Sequence, residues 1–212
     1  MATGASESGF LFERARSGID GALVSLFEHY RERLRRMVRL RLDRRLGGKV
    51  SSEAILQMAF QEAARQFPVY AKNPVVPVFL WLRHVTGLAL KSVHRAQLGS
   101  QFDTDDQQVS LYRGALPPAN SVSLAAQFLG KMTSESQVNQ LAEHKLIVQE
   151  ALNSMDSLDR EVLTLRHFEH MNNEETALVL GLSQGAASIR YIKALKRIKE
   201  ILATIPGMKE QI

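Results

Sequence analysis

Arg190, Lys193 and Arg197 stand three and four residues apart near the C-terminal end of a 212-residue chain. On an α-helix that spacing places all three cations on one face. A row of this kind neutralises phosphates or donates to guanine edges; it carries out no covalent step. Gln184 and Ser188 lie one helical turn apart at the start of the same run, the end of a recognition helix that reaches base edges. Elsewhere the chemistry is thinner. Of the six histidines only His167 and His170 fall at helical spacing beside a carboxylate, Glu169, and no third ligand stands at metal spacing. They read as surface histidines at a helix end. Gly47-Gly48-Lys49 lacks the surroundings of a phosphate loop. Cysteine is absent, which excludes disulfides, thiolate metal sites and a cysteine nucleophile. No catalytic residue, metal or cofactor is expected, and the chain is not expected to be an enzyme.

The elements around the cations follow from local signals. Asn172 and Asn173 are cap types, and Glu174 and Glu175 follow in the first turn, where the helix dipole favours negative charge. Ala177, Val179 and Leu180 form the apolar side of a short helix. Gly181 ends it, Leu182 turns inward, and Ser183 caps the next helix. On that second helix Tyr191, Leu195, Ile198 and Leu202 share the side opposite the cations. A capped helix, a glycine turn and a capped helix with a basic face describe a helix-turn-helix for the DNA major groove.

Charge is distributed unevenly. Residues 1–99 carry 16 Lys/Arg against 8 Asp/Glu, whereas residues 146–212 carry 8 against 9. The C-terminal segment is polarised rather than basic: seven acids lie between Glu150 and Glu175, and five bases between Arg190 and Lys199. Segregation of that kind suits a domain with one face for nucleic acid. No apolar run reaches a membrane span of about 20 residues, and MATGASESGF has neither the basic start nor the apolar core of a signal peptide. A cytoplasmic protein without membrane insertion is expected.

The 3.6-residue period predicts a long helix over about Gly21 to Leu46. It carries Arg31, Arg33, Arg35, Arg36, Arg39, Arg41, Arg44 and Arg45, either as a solvated face or as a docking surface. A second helix runs from Ser51 or Ser52 to Phe67, where Pro68 should stop it, and a third from Val78 to Leu98. Residues 99–137, with DTDDQQ and a Pro-Pro pair, read as a linker holding a short helix near Leu124–Leu129. The acidic run Asp103–Asp106 is a candidate mimic of nucleic acid that could lie on a basic surface. Helical pattern resumes over about Val138 to Met155, and Asp156 or Ser157 caps a further helix over Leu158–Phe168. The expected fold is all-α: two small helical domains joined by a flexible linker, the second with the helix-turn-helix.

Three stretches carry a family resemblance. SLDREVLTLRHFEHMNNEETALVLGLSQGAASIRYIKALKRIKEIL (Ser157–Leu202) resembles the fourth conserved region of bacterial RNA polymerase sigma factors, most closely the extracytoplasmic-function (ECF) branch. KVSSEAILQMAFQEAARQF resembles that family's core-binding helix, and FLWLRHVTGLALKSVHRAQLG its promoter-melting helix. GKMTSESQ resembles a linker stretch of one ECF subgroup.

The resemblance implies a region 2-like domain over residues 10–98, a linker over 99–137 and a region 4-like domain over 138–205. It implies a factor that binds core RNA polymerase and directs promoter-specific initiation. Its partners would be core polymerase, promoter duplex, the melted strand and, as a further candidate, an anti-sigma factor. Carried over by position, Gln184, Ser188, Arg190, Lys193 and Arg197 would contact the upstream element. Trp81, Arg83, His84, Lys91, His94 and Arg95 would face the downstream element. Ile55, Leu56, Gln57, Phe60 and Gln61 would lie on or behind the surface facing the polymerase. Trp81 or Tyr70 could offer the flat surface for an unstacked base, although a lone Trp in a helix is more often a core anchor, and that reading is favoured for Trp81. Ala54 and Met58 stand where many members carry acids. They keep an alternative open: a stand-alone helix-turn-helix regulator that has lost polymerase binding.

Overall fold

The computed structural model describes residues 3–99, 116–130 and 141–203. The described residues are helical throughout and contain no strand. The chain divides into two compact units at Pro117/Pro118. Asp103–Asp106 and most of GKMTSESQ lie outside the described residues.

The first unit holds α1 (Thr3–Arg16), α2 (Ala22–Arg41), α3 (Ser52–Tyr70) and α4 (Val78–Leu98). Sequence periodicity assigned α1 no element, yet it packs on α2 and sets Phe12 edge-on against Phe67 and Tyr70, each with ring centroids 6.0 Å away. The long helix expected to reach Leu46 ends at Arg41. Leu42 turns extended, and Asp43 caps a separate 3-10 turn, Arg44–Leu46, by accepting from the Arg45 amide. Pro68 does not stop α3, which continues to Tyr70. The amide that Pro68 lacks would have bonded the Ala64 carbonyl. Both residues are exposed, so losing that bond costs little, and the Ala71 amide closes the last turn on the Phe67 carbonyl at 2.8 Å. Leu26, Leu34 and Met37 of α2 interlock with Ile55 and Leu56 of α3 and with Leu82 of α4, all at most 1% exposed. Each such side chain contributes about 1.5–3 kcal/mol of apolar burial.

The second unit holds α5 (Ser121–Gly130), α6 (Leu141–Ser154), α7 (Ser157–Leu163), α8 (Asn173–Leu180) and α9 (Gln184–Leu202). The short helix expected near Leu124–Leu129 is α5, which packs against α6 within this unit and buries Leu124, Ala125 and Leu129. Asp156 caps α7, and the chain then loosens into a π turn, Thr164–Phe168, closed by the Glu169 amide on the Thr164 carbonyl at 2.9 Å.

Candidate nucleic-acid interface

Two caps and a turn place α8 and α9. The Asn172 side chain accepts from the Glu175 amide at 2.8 Å while the Glu175 carboxylate accepts from the Asn172 amide at 2.9 Å, a full capping box. Gly181 sits in the left-handed region at φ 64°, where a side chain would be strained, and the Leu182 amide returns to the Ala177 carbonyl at 2.9 Å. Ser183 then caps α9 through the Ala186 amide at 3.2 Å. Asn173 adds a strut, donating from Nδ2 to the Gln184 carbonyl at 2.8 Å, so the start of α9 is fixed to α8.

The seam that α9 buries consists of Ala187, Ala194, Ile198 and Leu202. Tyr191 and Leu195 are only half-buried, and the Arg166 guanidinium lies over the Tyr191 ring at 5.0 Å. The seam is therefore rotated from the one periodicity suggested, because two alanines allow close approach of α9 to its neighbours. The rotation reassigns the cations. Arg190 turns toward α7, where Asp159, 4% exposed, receives its Nη1 at 2.5 Å and Asp156 lies 3.6 Å away. Lys193 stands 3.5 Å from Asp159 but keeps its side chain 74% exposed. The amides of Asp159 and Leu158, followed by Arg190 and Lys193, hold the Asp156 carboxyl below the usual range. The solvent side of α9 carries Gln184, Gly185, Ile189, Ile192, Lys193, Lys196 and Lys199, with Ser188 half-buried and Arg197 exposed. Lys196 and Lys199 were missed because the expected stripe was drawn through Arg190.

In the first unit α4 is central rather than lateral. Trp81 stacks on Tyr70 at 4.3 Å with the rings 4° from parallel, and Tyr70 donates from its hydroxyl to the Val76 carbonyl at 2.7 Å. Both residues are buried. Arg83 is 2% exposed and His94 1%, its Nε2 accepting from the Asp43 amide at 3.2 Å. Trp81, Arg83 and His94 thus belong to the interior: Trp81 takes its core-anchor reading, and for Arg83 and His94 this corrects their expected place on the strand-facing side. A helix packed by α2 and α3 on two flanks has little surface left for a charged stripe. His84 and Lys91 are half-buried and Arg95 is exposed. On α3, Ile55 and Leu56 are core residues, Phe60 is half-buried with its ring against Phe27 at 5.2 Å, and Gln57 and Gln61 are exposed. The arginines of α2 largely serve the unit itself. Glu53 of α3 accepts from Arg31 Nη2 at 2.6 Å and from Arg35 Nε at 2.5 Å. Arg33 lies 3.5 Å over the Phe79 ring, and buried Arg41 donates to the Pro117 carbonyl at 2.9 Å.

Comparison with known proteins places this geometry. Residues 145–198 match the family described as Sigma-70, region 4. The ECF RNA polymerase sigma factor BldN of Streptomyces coelicolor is 22% identical over 192 residues, covering 91% of this chain and 64% of BldN. The RNA polymerase sigma-E factor of Streptomyces antibioticus is 37% identical over 70 residues, 33% of this chain and 38% of that factor. The chain is similar to ECF-type sigma factors, and its sigma-70 region 4 match lies in the second unit. It spans just under two thirds of the length of BldN. CnrH, solved in complex with the cytosolic domain of CnrY, shares its fold at a TM-score of 0.52 and 19% identity, over 91% of this chain and 95% of that one.

Two features of the first unit bear on measurement. Ala54 is exposed and Met58 is 42% exposed; with Val50, Val93 and Ala96 they line an open groove between the start of α3 and the end of α4. The surface where acids were expected is apolar. Second, His84 and His94 both titrate below the ordinary histidine value of 6.5. Burial is the main cause, aided by Arg83 at His84 and by Arg45 at His94, where Asp43 opposes. The unfolded chain therefore binds more protons than the folded one just below pH 6.5, so stability is full above that pH and is lost as pH falls toward the folded values. Acidification from pH 7.5 to 5.5 is expected to lower the melting temperature, read by Trp81 fluorescence, by on the order of a few degrees. His94→Gln, which keeps an acceptor for the Asp43 amide, should flatten that slope. An unchanged slope would place the titration elsewhere.

Among the described residues no helix is long and apolar enough to cross a membrane, and no group of three or more His, Cys, Asp or Glu could hold a metal ion.

Proposed function

We propose that the protein binds core RNA polymerase and directs it to specific promoters, with α9 reading the upstream element and the first unit engaging the polymerase and the downstream element. The observation that carries this is the solvent face of α9 within a sigma-70 region 4 match: Gln184 and Ser188 at the end that reaches bases, and Lys193, Lys196, Arg197 and Lys199 along the flank that meets phosphates. In the first unit the accessible candidates are His84, Lys91 and Arg95 for the downstream DNA and Gln57, Phe60 and Gln61 for the polymerase. Trp81, Arg83, His94, Ile55 and Leu56 act behind them by holding α3 and α4 in place. Arg190 orients α9 through Asp159. An anti-sigma partner also fits this reading, since CnrH was solved with the cytosolic domain of CnrY and shares the fold.

Transcription in vitro, with purified core polymerase and the DNA upstream of the protein's own gene, tests this. A discrete transcript that requires the protein is expected. Lys196→Ala combined with Lys199→Ala should weaken it and reduce the salt slope of upstream-element binding by about 0.9 per lost phosphate contact, without changing thermal stability. The exposed apolar pair Ala54 and Met58 gives the second reading its footing. A protein that binds duplex DNA but fails to comigrate with core polymerase would be a stand-alone regulator.

A further inference from the structure

Ile189 and Ile192 are 69% and 65% exposed, at the centre of the solvent face of α9. With Gly185 and Lys196 they form one straight stripe at i, i+4, i+7 and i+11, opposite the buried Ala187, Ala194 and Ile198. β-branched residues are ordinary at best on an exposed helix, where Lys, Glu or Gln would propagate it better and stay hydrated. Single exposed apolar residues are common, but these two are adjacent. They sit between Gln184 and Ser188 on one side and Lys193 and Arg197 on the other, with Lys196 continuing the stripe and one acid, Glu200, near the far end, 4.0 Å from Lys196. An apolar stripe with a cationic flank, on the second helix of a helix-turn-helix, is complementary to a major groove: phosphates along the rim and, on the floor, the one apolar group that the bases present there, the thymine C5 methyl.

We infer that Ile189 and Ile192 are specificity-determining residues that contact the C5 methyl groups of thymines in the upstream element. This rests on the proposal that α9 reads DNA. Gln184 and Ser188 then supply the hydrogen bonds, the lysines the phosphate contacts, and the isoleucines a preference for thymine over cytosine at the pairs beneath them.

Removing only the methyl groups tests it. The full chain enriches a random-sequence duplex library, and the enriched pool is amplified with either thymidine or deoxyuridine triphosphate. Deoxyuridine pairs as thymine does and lacks only the methyl. The wild type is expected to bind the deoxyuridine pool about fourfold more weakly for each methyl contacted. Ile189→Ala combined with Ile192→Ala should bind the two pools equally while keeping the wild-type salt slope and melting temperature. Equal binding of both pools by the wild type would overturn the thymine inference while leaving DNA reading intact, and would turn the stripe toward a protein partner. Discrimination that survives in the double variant would place the methyl contacts elsewhere and overturn it also. Failure to enrich any sequence would overturn the DNA reading and this inference with it.

Discussion

Trp81→Ala is expected to lower the unfolding free energy of the first unit by about 3–5 kcal/mol, the range for emptying an aromatic core site. The indole lies face to face with Tyr70 at 4.3 Å, and Phe67 sits 6.0 Å away on another side. Phe12 of α1 packs edge-on against Tyr70 and Phe67, so the cluster ties α1, the end of α3 and the start of α4 together. Alanine would leave a cavity bordered by the Tyr70 and Phe67 rings and free the loop whose Val76 carbonyl Tyr70 holds. Trp81→Phe keeps a ring for the stack and should recover more than half of the loss. Thermal melts followed by circular dichroism measure both, because Trp81 is the chain's sole tryptophan and its fluorescence disappears with it. A melting temperature unchanged in Trp81→Ala would return the ring to the surface, as a platform for an unstacked base.

Asp159→Ala should cost the second unit about 2 kcal/mol. A fully buried ion pair stripped of one partner loses about 3–5 kcal/mol, but the Arg190 side chain is 36% exposed, so water recovers part of its solvation. Asp159 is the inward end of a charge cluster in which its carboxylate meets Arg190 at 2.5 Å and Lys193 at 3.5 Å. Removing it loosens α9 from α7 and so misplaces the recognition helix. Arg190→Ala should cost a similar amount, and the double variant little more than either alone, a coupling of about 1–2 kcal/mol. Urea unfolding by circular dichroism measures the cycle, and Trp81 fluorescence, which follows the first unit, assigns the loss. Additive single effects, or a loss seen by fluorescence alone, would defeat the prediction. There is a practical consequence for DNA-binding studies. Loss of binding in Arg190→Ala reports the seating of α9 as much as a phosphate contact, whereas Lys196→Ala reports the contact.

Much of this was legible in the residues themselves, and the reason is local. A capping box at Asn172–Glu175, a left-handed glycine at 181 and a serine cap at 183 act within a few residues of one another, so composition and spacing determine them. The same holds for the limits of α4, whose apolar run between Pro77 and Gly99 left no other register. The sequence by itself therefore determined an all-α chain with a helix-turn-helix, its turn and the boundaries of both helices. What it left undecided depends on neighbours distant in the chain. Periodicity shows that one face of a helix is apolar but not how many sides its partners cover, so the burial of Arg83 and His94 emerged only when α2 and α3 closed around α4. Nor can it register the approach of Asp159, 31 residues from Arg190. The tertiary structure decided which cations of α9 are committed inward and which face water, because small alanines at 187 and 194 turned the buried seam. That turn left Ile189 and Ile192 at the centre of the exposed face.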